Sequence, residues 1–149
     1  MKKLLLLIPF IALLCVTTAY GQVTELPKIE TVQQLPKDFQ KFFRKFTQNR
    51  ETQIALIKTP LIDHYYDFDG KKKEHINKEN LKKQWGFLTN DYFIENLILE
   101  EEWCGYWRKI DDTHIAYIKG LCEAGYSFEY YFEKIKNTWF LTEVVCNNF

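Results

Sequence analysis

The most constraining feature of this sequence is a set of phenylalanines at helical spacing. Phe39, Phe42, Phe43 and Phe46 fall at positions i, i+3, i+4 and i+7, and charged or amide side chains fill the other positions. This spacing places four rings on one face of an α-helix. The rest of the chain must therefore supply an apolar surface that can bury them.

Two more short helices are predicted after this one. Asn49 is a suitable N-cap for a helix over about 50–57, and Asn77 for a helix that runs to about Trp85. Between them, residues 61–68 are rich in β-formers and end at Asp69-Gly70, a turn dipeptide, so they predict a first strand. The lysines at 71–73 are interpreted as a solvated loop.

From residue 97 onward the pattern changes to strands. Turn residues divide this half into four predicted strands, at about 97–110, 113–121, 125–136 and 138–147. Helices followed by strands predict an α+β domain in which the N-terminal helices pack in a curved antiparallel sheet. We assign this single domain to residues 36–149, preceded by an extended leader at 22–35.

The alternation of residues predicts which side of the sheet meets the helices. Alternate residues of a strand share a face, so the last hairpin should present to the helices Phe128, Tyr130, Phe132, Trp139, Leu141 and Val145. The same register adds Glu143 and, one strand earlier, His114, Ala116 and Ile118. Glu143, Tyr130 and His114 would then share the concave face, where they could form an acid–base site or a polar ligand anchor, or a satisfied core network.

The first 21 residues have the features of a cleavable secretion signal. Lys2 and Lys3 precede an apolar run over 4–16, and small side chains at Ala19 and Gly21 suit cleavage before Gln22. The apolar run is shorter than the roughly 20 residues of a membrane span, so we expect no span after cleavage. We predict a periplasmic or extracellular protein, and consider a lipoprotein anchored at Cys15 less favoured because Leu14 precedes that cysteine.

Charge and cysteines exclude several classes of protein. Without residues 1–21 the chain has 18 basic and 20 acidic side chains, which argues against a nucleic-acid partner. Three cysteines remain, Cys104, Cys122 and Cys146, and no Cys-x-x-Cys pair is present. The predicted register places them beyond disulfide reach, so we predict three free thiols. The three histidines are isolated in sequence, so neither a metal site nor a cofactor is predicted.

Several of these residues together resemble a known family. The resemblance rests on Asp38-Phe39-x-x-Phe42-Phe43-x-x-Phe46, Gln53, Ile57, Pro60-Leu61, Trp85-x-Phe87-Leu88 and Trp139-Phe140-Leu141. These motifs are similar to those of an uncharacterised family of exported Bacteroidetes proteins, a domain of unknown function with a nuclear transport factor 2-like, cystatin-like fold. The resemblance implies a cone-shaped domain, often with a pocket at its open end, and provides no catalytic residues to transfer.

A second polar cluster lies in the predicted first strand. Asp63 or His64 could act as a general base with Tyr65 as a hydrogen-bond donor, or the segment could be an ordinary half-exposed strand. The second interpretation is favoured because neighbouring strand residues point to opposite faces.

Three functions stay open at this stage. The first is a non-enzymatic exported domain that binds a small apolar ligand or a protein partner, and the second is a small isomerase or lyase. The third is a structural component that self-associates, for example as a homodimer through a sheet face. Four aromatic residues would contribute to such a face or else pack in the core: Trp103, Tyr106, Trp107 and Tyr117.

Overall fold

A computed structural model describes residues 26–93, 98–99, 101–121 and 125–148, with the side chains of 98, 99, 101 and 102 excepted. The predicted secretion signal lies outside these residues. The described residues contain three α-helices: α1 (Lys37–Phe46), α2 (Arg50–Ala55) and α3 (Lys78–Gln84). The side chains of Asn49 and Asn77 accept hydrogen bonds from the amides of Thr52 and Asn80, so both predicted N-caps are confirmed.

Within the described part of the chain, seven strands form one sheet. They are β1 (Ile57–Asp67), β2 (Gly70–Ile76), β3 (Ile98–Leu99), β4 (Glu101–Lys109), β5 (His114–Leu121), β6 (Tyr126–Ile135) and β7 (Thr138–Asn148). Their order is β2-β1-β7-β6-β5-β4-β3, and every pair is antiparallel except β1–β7, which is parallel. The predicted fold class, helices packed in a curved sheet, is confirmed.

The lysine run was predicted wrongly as a loop. Residues 71–73 belong to β2, which pairs with β1 on one side and forms an edge of the sheet. The turn at Asp69-Gly70 is confirmed, and Gly70 has φ 127°, a conformation that favours glycine. Exposed lysines on an edge strand discourage pairing with another chain, which explains why a strand at this position contains them.

One extra residue in β7 changes the predicted face of its second half. Phe132 pairs with Leu141, but the next pair is Tyr131 with Glu143, so Thr142 is the extra residue of a β-bulge. Trp139 and Leu141 face the helices as predicted, as do Phe128, Tyr130 and Phe132. Beyond the bulge the faces exchange, so the predicted inward orientation of Glu143 and Val145 is wrong.

The register of β5 also differs from the prediction by one residue. Tyr117 pairs with Tyr130 and Ile115 with Phe132, so odd-numbered residues of β5 face the helices. The inward placement of His114, Ala116 and Ile118 is therefore wrong, and these residues lie on the outer face. The error arose in the connection between β5 and β6, where residues 122–124 lie outside the described part of the chain.

The prediction of three free cysteines is wrong for Cys104. This residue is disulfide-bonded, whereas Cys146 is free. Cys104 lies in β4, where it pairs with Gly120 near the end of β5. Burial raises the pKa of the Cys146 thiol, and the nearby charge of Asp63 adds to that rise.

Gln53 connects the helices to the segment that follows α3. Its side chain is fully buried, and its amide nitrogen donates to the carbonyl oxygens of Phe46 (3.0 Å) and Leu88 (2.8 Å). Its oxygen accepts from the Trp85 indole at 2.8 Å and from the Leu88 amide at 2.9 Å. All hydrogen-bonding capacity of this buried amide is therefore used.

The described residues contain neither a candidate membrane helix nor a candidate metal site. Within these ranges we find no helix that has both the length and the apolar character to cross a membrane. The same ranges contain no group of three or more His, Cys, Asp or Glu side chains placed to hold a metal ion.

Candidate functional site

The interior of the cone is filled with aromatic rings from α1. Phe39 is fully buried, and its ring centroid lies 5.6 Å from that of Trp107, 5.4 Å from Phe132 and 5.1 Å from Trp139. All three contacts are edge-to-face, the geometry that aromatic pairs prefer. Trp107 and Tyr117 are core residues, so for these two the core alternative holds rather than an outer docking surface. The centre of the cone is thus a packed core with rings in van der Waals contact.

Tyr130 lies on the concave face, as predicted, but its side chain is buried and belongs to the core. Its hydroxyl is 2.7 Å from the hydroxyl of Tyr92, and the residue is 6% exposed. Burial raises the pKa of the Tyr130 phenol, and the Tyr92 hydroxyl raises it further. Lys119 donates from Nζ to the Tyr92 carbonyl at 2.8 Å, and its Nζ lies 4.4 Å from the centroid of the Tyr92 ring. These residues form a hydrogen-bonded network at the margin of the core.

A cleft remains open on the concave side, where α3 crosses β1 and β2. Its volume is about 240 Å³, and the residues that line it are Leu61, Asp63, Ile76, Leu81, Gln84, Trp85 and Val144. Most of this wall is apolar, and Asp63 is the ionisable residue in it. Burial raises the pKa of the Asp63 carboxyl and Glu74, its cross-strand partner, raises it further, whereas His64 lowers it.

The local sequence explains why β1 and α3 form the walls of this cleft. Leu61 and Asp63 project from one face of β1 because they are two residues apart. Asn77 caps the start of α3, the helix ends at Gln84, and both Leu81 and Leu61 belong to the buried core. Because α3 buries a single residue, Leu81, it leaves the space above Asp63 unfilled.

Tyr65 shares the face of Asp63 but lies further along β1. Its hydroxyl accepts a hydrogen bond of 3.2 Å from the side-chain amide of Asn148, and it does not line the cleft. His64 points to the opposite face. The predicted cluster of Asp63, His64 and Tyr65 therefore does not converge on one point, in agreement with the interpretation of an ordinary strand.

The outer face holds the other predicted residues. His64 is 9% exposed, its Nδ1 is 3.5 Å from Oε1 of Glu143, and its buried Nε2 has no hydrogen-bond partner among the described residues. Glu143 also lines an outer groove of about 390 Å³, together with His75 and His114. Nδ1 of His114 is 2.9 Å from Oδ2 of Asp111.

The structure thus separates the predicted acid–base set. Tyr130 lies inside the sheet and is bonded to Tyr92, whereas Glu143 and His114 lie outside it. The sheet itself stands between them, so these three groups cannot act on one ligand. The bulge at Thr142 and the shifted register of β5 cause this separation.

Sequence reasoning missed the contribution of α3 to the site. The apolar stripe of Leu81, Gln84, Trp85 and Leu88 was visible in the sequence but indicated only a buried helix face. Its short length was the available signal, because a helix of two turns cannot cover the same area as α1.

Fold and site together define a cone-shaped α+β domain with a filled interior and a small apolar cleft at one side. The model of a protein family described with the suffix "-like", and without an activity, matches residues 37–149. This match covers more than half of the chain, so the chain belongs to that family, whose fold is nuclear transport factor 2-like and cystatin-like. No curated protein sequence matches the chain.

Solved structures from Bacteroides species share the fold. An NTF2-like protein from Bacteroides fragilis aligns with a TM-score of 0.50 and 18% identity, over 75% of this chain and 47% of that chain. A cystatin-like protein from Bacteroides caccae aligns with a TM-score of 0.52 and 23% identity, over 72% of this chain and 74% of that chain. A protein from Bacteroides uniformis aligns with a TM-score of 0.53 and 20% identity, over 75% of this chain and 76% of that chain.

These similarities show the fold and no particular activity. The chain spans about half the length of the Bacteroides fragilis protein, so that protein contains a further region without a counterpart in the alignment.

Proposed function

We propose that this domain is a non-enzymatic binding module that holds a small, mainly apolar molecule in the cleft between α3 and the sheet. The observation that carries the proposal is the cleft itself, an opening of about 240 Å³ with mainly apolar walls and one carboxyl group. Ligand sites are concave and mostly apolar with few polar groups. This cleft is smaller than the roughly 300–1,000 Å³ of many ligand sites, so it suits a small molecule.

Two observations favour binding over an isomerase or lyase. Tyr130 lies on the opposite face of the sheet from Glu143 and His114, with which it was expected to cooperate. Among the described residues that line the cleft, Asp63 is the only one that could transfer a proton, and general acid–base chemistry commonly requires a second positioned group. The raised pKa of Asp63 is the one feature that supports the enzyme alternative, because catalytic carboxyls often have such a shift.

We also propose that the protein acts outside the cytoplasm, in the periplasm or the extracellular medium. The predicted secretion signal supports this, as does the disulfide at Cys104, because disulfides persist in oxidising compartments. Expression in the natural host, fractionation and N-terminal sequencing test this proposal. The expected result is an exported chain that begins at Gln22, and an intact N-terminus in the cytoplasmic fraction would contradict it.

Titration of the ¹⁵N-labelled protein with n-hexanol, followed by amide chemical shifts, tests the binding proposal. We expect saturable shifts at Ile76, Leu81 and the Trp85 indole. Gln84→Trp places a large ring at the cleft and should weaken binding about tenfold, or about 1.4 kcal/mol.

Lys83→Trp adds the same ring to an exposed position of the same helix, outside the cleft lining, and serves as the matched control. Its affinity for hexanol should equal that of the wild type. Absence of saturable shifts, or equal weakening by both tryptophans, would contradict a ligand site in this cleft. Light scattering of the same samples tests the alternative of self-association, for which a stable dimer is the expected result.

A further inference from the structure

We infer that the molecule bound in the cleft is a small organic cation, an ammonium group with a short apolar body, and that the Asp63 carboxylate holds the ammonium group. This inference rests on the proposed function and specifies the chemical class of its ligand. It follows from the position of Asp63, from its neighbour Glu74 and from the fixed wall opposite them.

Asp63 has an unused carboxylate in an otherwise apolar wall. Among the described residues, no hydrogen bond and no ion pair reaches its side-chain oxygens. Asp38 and Asp111, whose pKa values are lowered, do have such partners: Asp38 accepts from Trp139 and pairs with Lys134, and Asp111 accepts from Thr113. A partly buried carboxylate without a donor gains most from a ligand that brings one.

A second negative charge lies directly across the strand pair. Asp63 pairs with Glu74 in the β1–β2 register, so the two side chains are on the same face. Like charges directly opposite each other destabilise a sheet. A ligand with a positive charge would relieve this repulsion, whereas a carboxylate ligand would increase it and a neutral ligand would leave it unchanged.

The far side of the cleft is fixed before any ligand binds. Trp85 lines the cleft, and its indole nitrogen donates to Gln53 at 2.8 Å, so the position of the ring is set by the protein core. A preorganised wall lowers the entropy lost on binding. Leu81 and Val144 extend the apolar surface for the body of the ligand, and an aromatic ring near an ammonium group adds a cation–π attraction.

A series of three isosteres tests the charge preference: n-hexylammonium, n-hexanol and n-hexanoate, titrated at pH 7 with the same amide-shift readout. We expect n-hexylammonium to bind about tenfold more tightly than n-hexanol, the ratio for one charge-assisted hydrogen bond. Hexanoate should bind most weakly. Asp63→Asn should remove the preference for the cation over hexanol.

Asp69→Asn is the matched control, because it removes one charge from the exposed turn of the same hairpin, outside the cleft lining. This variant should keep the preference for the cation. Since Asp63 has no described partner, Asp63→Asn should unfold at a urea concentration at or above that of the wild type, so folding does not complicate the comparison.

The outcomes separate this inference from the proposed function. If hexanol and hexylammonium bind equally, or if the preference persists in Asp63→Asn, the inference is wrong and the apolar cleft remains a binding site. If none of the three compounds produces saturable shifts at the cleft, both are wrong.

Discussion

Helices α1 and α3 pack against the same concave face of the sheet with opposite results. Helix α1 buries four phenylalanines, whereas α3 buries only Leu81. The α1 ring of Phe39 packs edge-to-face against rings of the sheet, whereas a cleft opens between the single buried leucine of α3 and Asp63. The comparison indicates that this fold assigns stability to one helix and an accessible site to the other.

The largest expected effect is on the α1 side. Phe39→Ala removes a fully buried ring that contacts rings from both α1 and the sheet, and it should lower the free energy of unfolding by about 3–5 kcal/mol. Urea unfolding followed by tryptophan fluorescence measures this loss. Phe68→Ala is the matched control, because Phe68 is 85% exposed and its removal should change stability by less than about 0.5 kcal/mol. Equal effects of the two variants would refute the assignment of the core to α1.

Gln53 joins the two regions, so its replacement should affect both. Gln53→Leu fills the same space with an apolar side chain and removes the hydrogen bonds of Gln53 to Phe46, Trp85 and Leu88. We expect a loss of about 2–3 kcal/mol, since each unsatisfied buried group costs about 1–3 kcal/mol and water can reach the half-buried ones.

The same variant frees the Trp85 ring, so hexanol should bind more weakly to it. Gln48→Leu, at an exposed position shortly before α2, makes the same chemical change and should alter neither property. A stable Gln53→Leu protein with unchanged hexanol affinity would show that the two regions are independent.

A change at the start of α3 should act on the cleft more than on the core. Asn77→Ala removes the N-cap of α3 and should cost about 1 kcal/mol. Because α3 forms one wall of the cleft, hydrogen exchange of its amides should accelerate and hexanol should bind more weakly. Asn49→Ala removes the equivalent cap of α2 at a similar cost, and it should leave hexanol binding unchanged. Equal loss of binding in both variants would contradict a specific role of α3.

The sequence predicted the fold better than the site for reasons visible in particular residues. The spacing of the phenylalanines and the caps at Asn49 and Asn77 are local signals, and each was confirmed. Which side of the sheet a residue faces depends instead on strand register, and an error in the register at one turn is carried into every strand that follows. One bulged residue, Thr142, was enough to move Glu143 to the other face, and one shift before β6 did the same for His114. Local patterns contain no signal for either event.

The smallest expected effect concerns Asp38 in the first turn of α1. Its carboxylate accepts from the Trp139 indole at 3.0 Å and lies 2.7 Å from Nζ of Lys134, so it links α1 to the last hairpin. The hydrogen bond from Lys134 is the main reason that the pKa of Asp38 falls to about 2, below its value in the unfolded chain. A lowered pKa of a carboxyl stabilises the folded state above the unfolded value of about 3.9, and this contribution disappears as the pH falls toward 2.

Asp38→Asn should therefore reduce the decrease in stability between about pH 4 and pH 2, measured by urea unfolding at several pH values. Since this carboxyl is half exposed, solvent screens the interaction and the difference should remain below about 1 kcal/mol. Lys134→Met should reduce the same slope, and the double variant should add nothing further because both changes remove one interaction. Asp111, held at a pKa of about 2 mainly by the backbone amide of Thr113, keeps part of the slope in every variant. Additive effects of the two substitutions would show that Asp38 and Lys134 act separately.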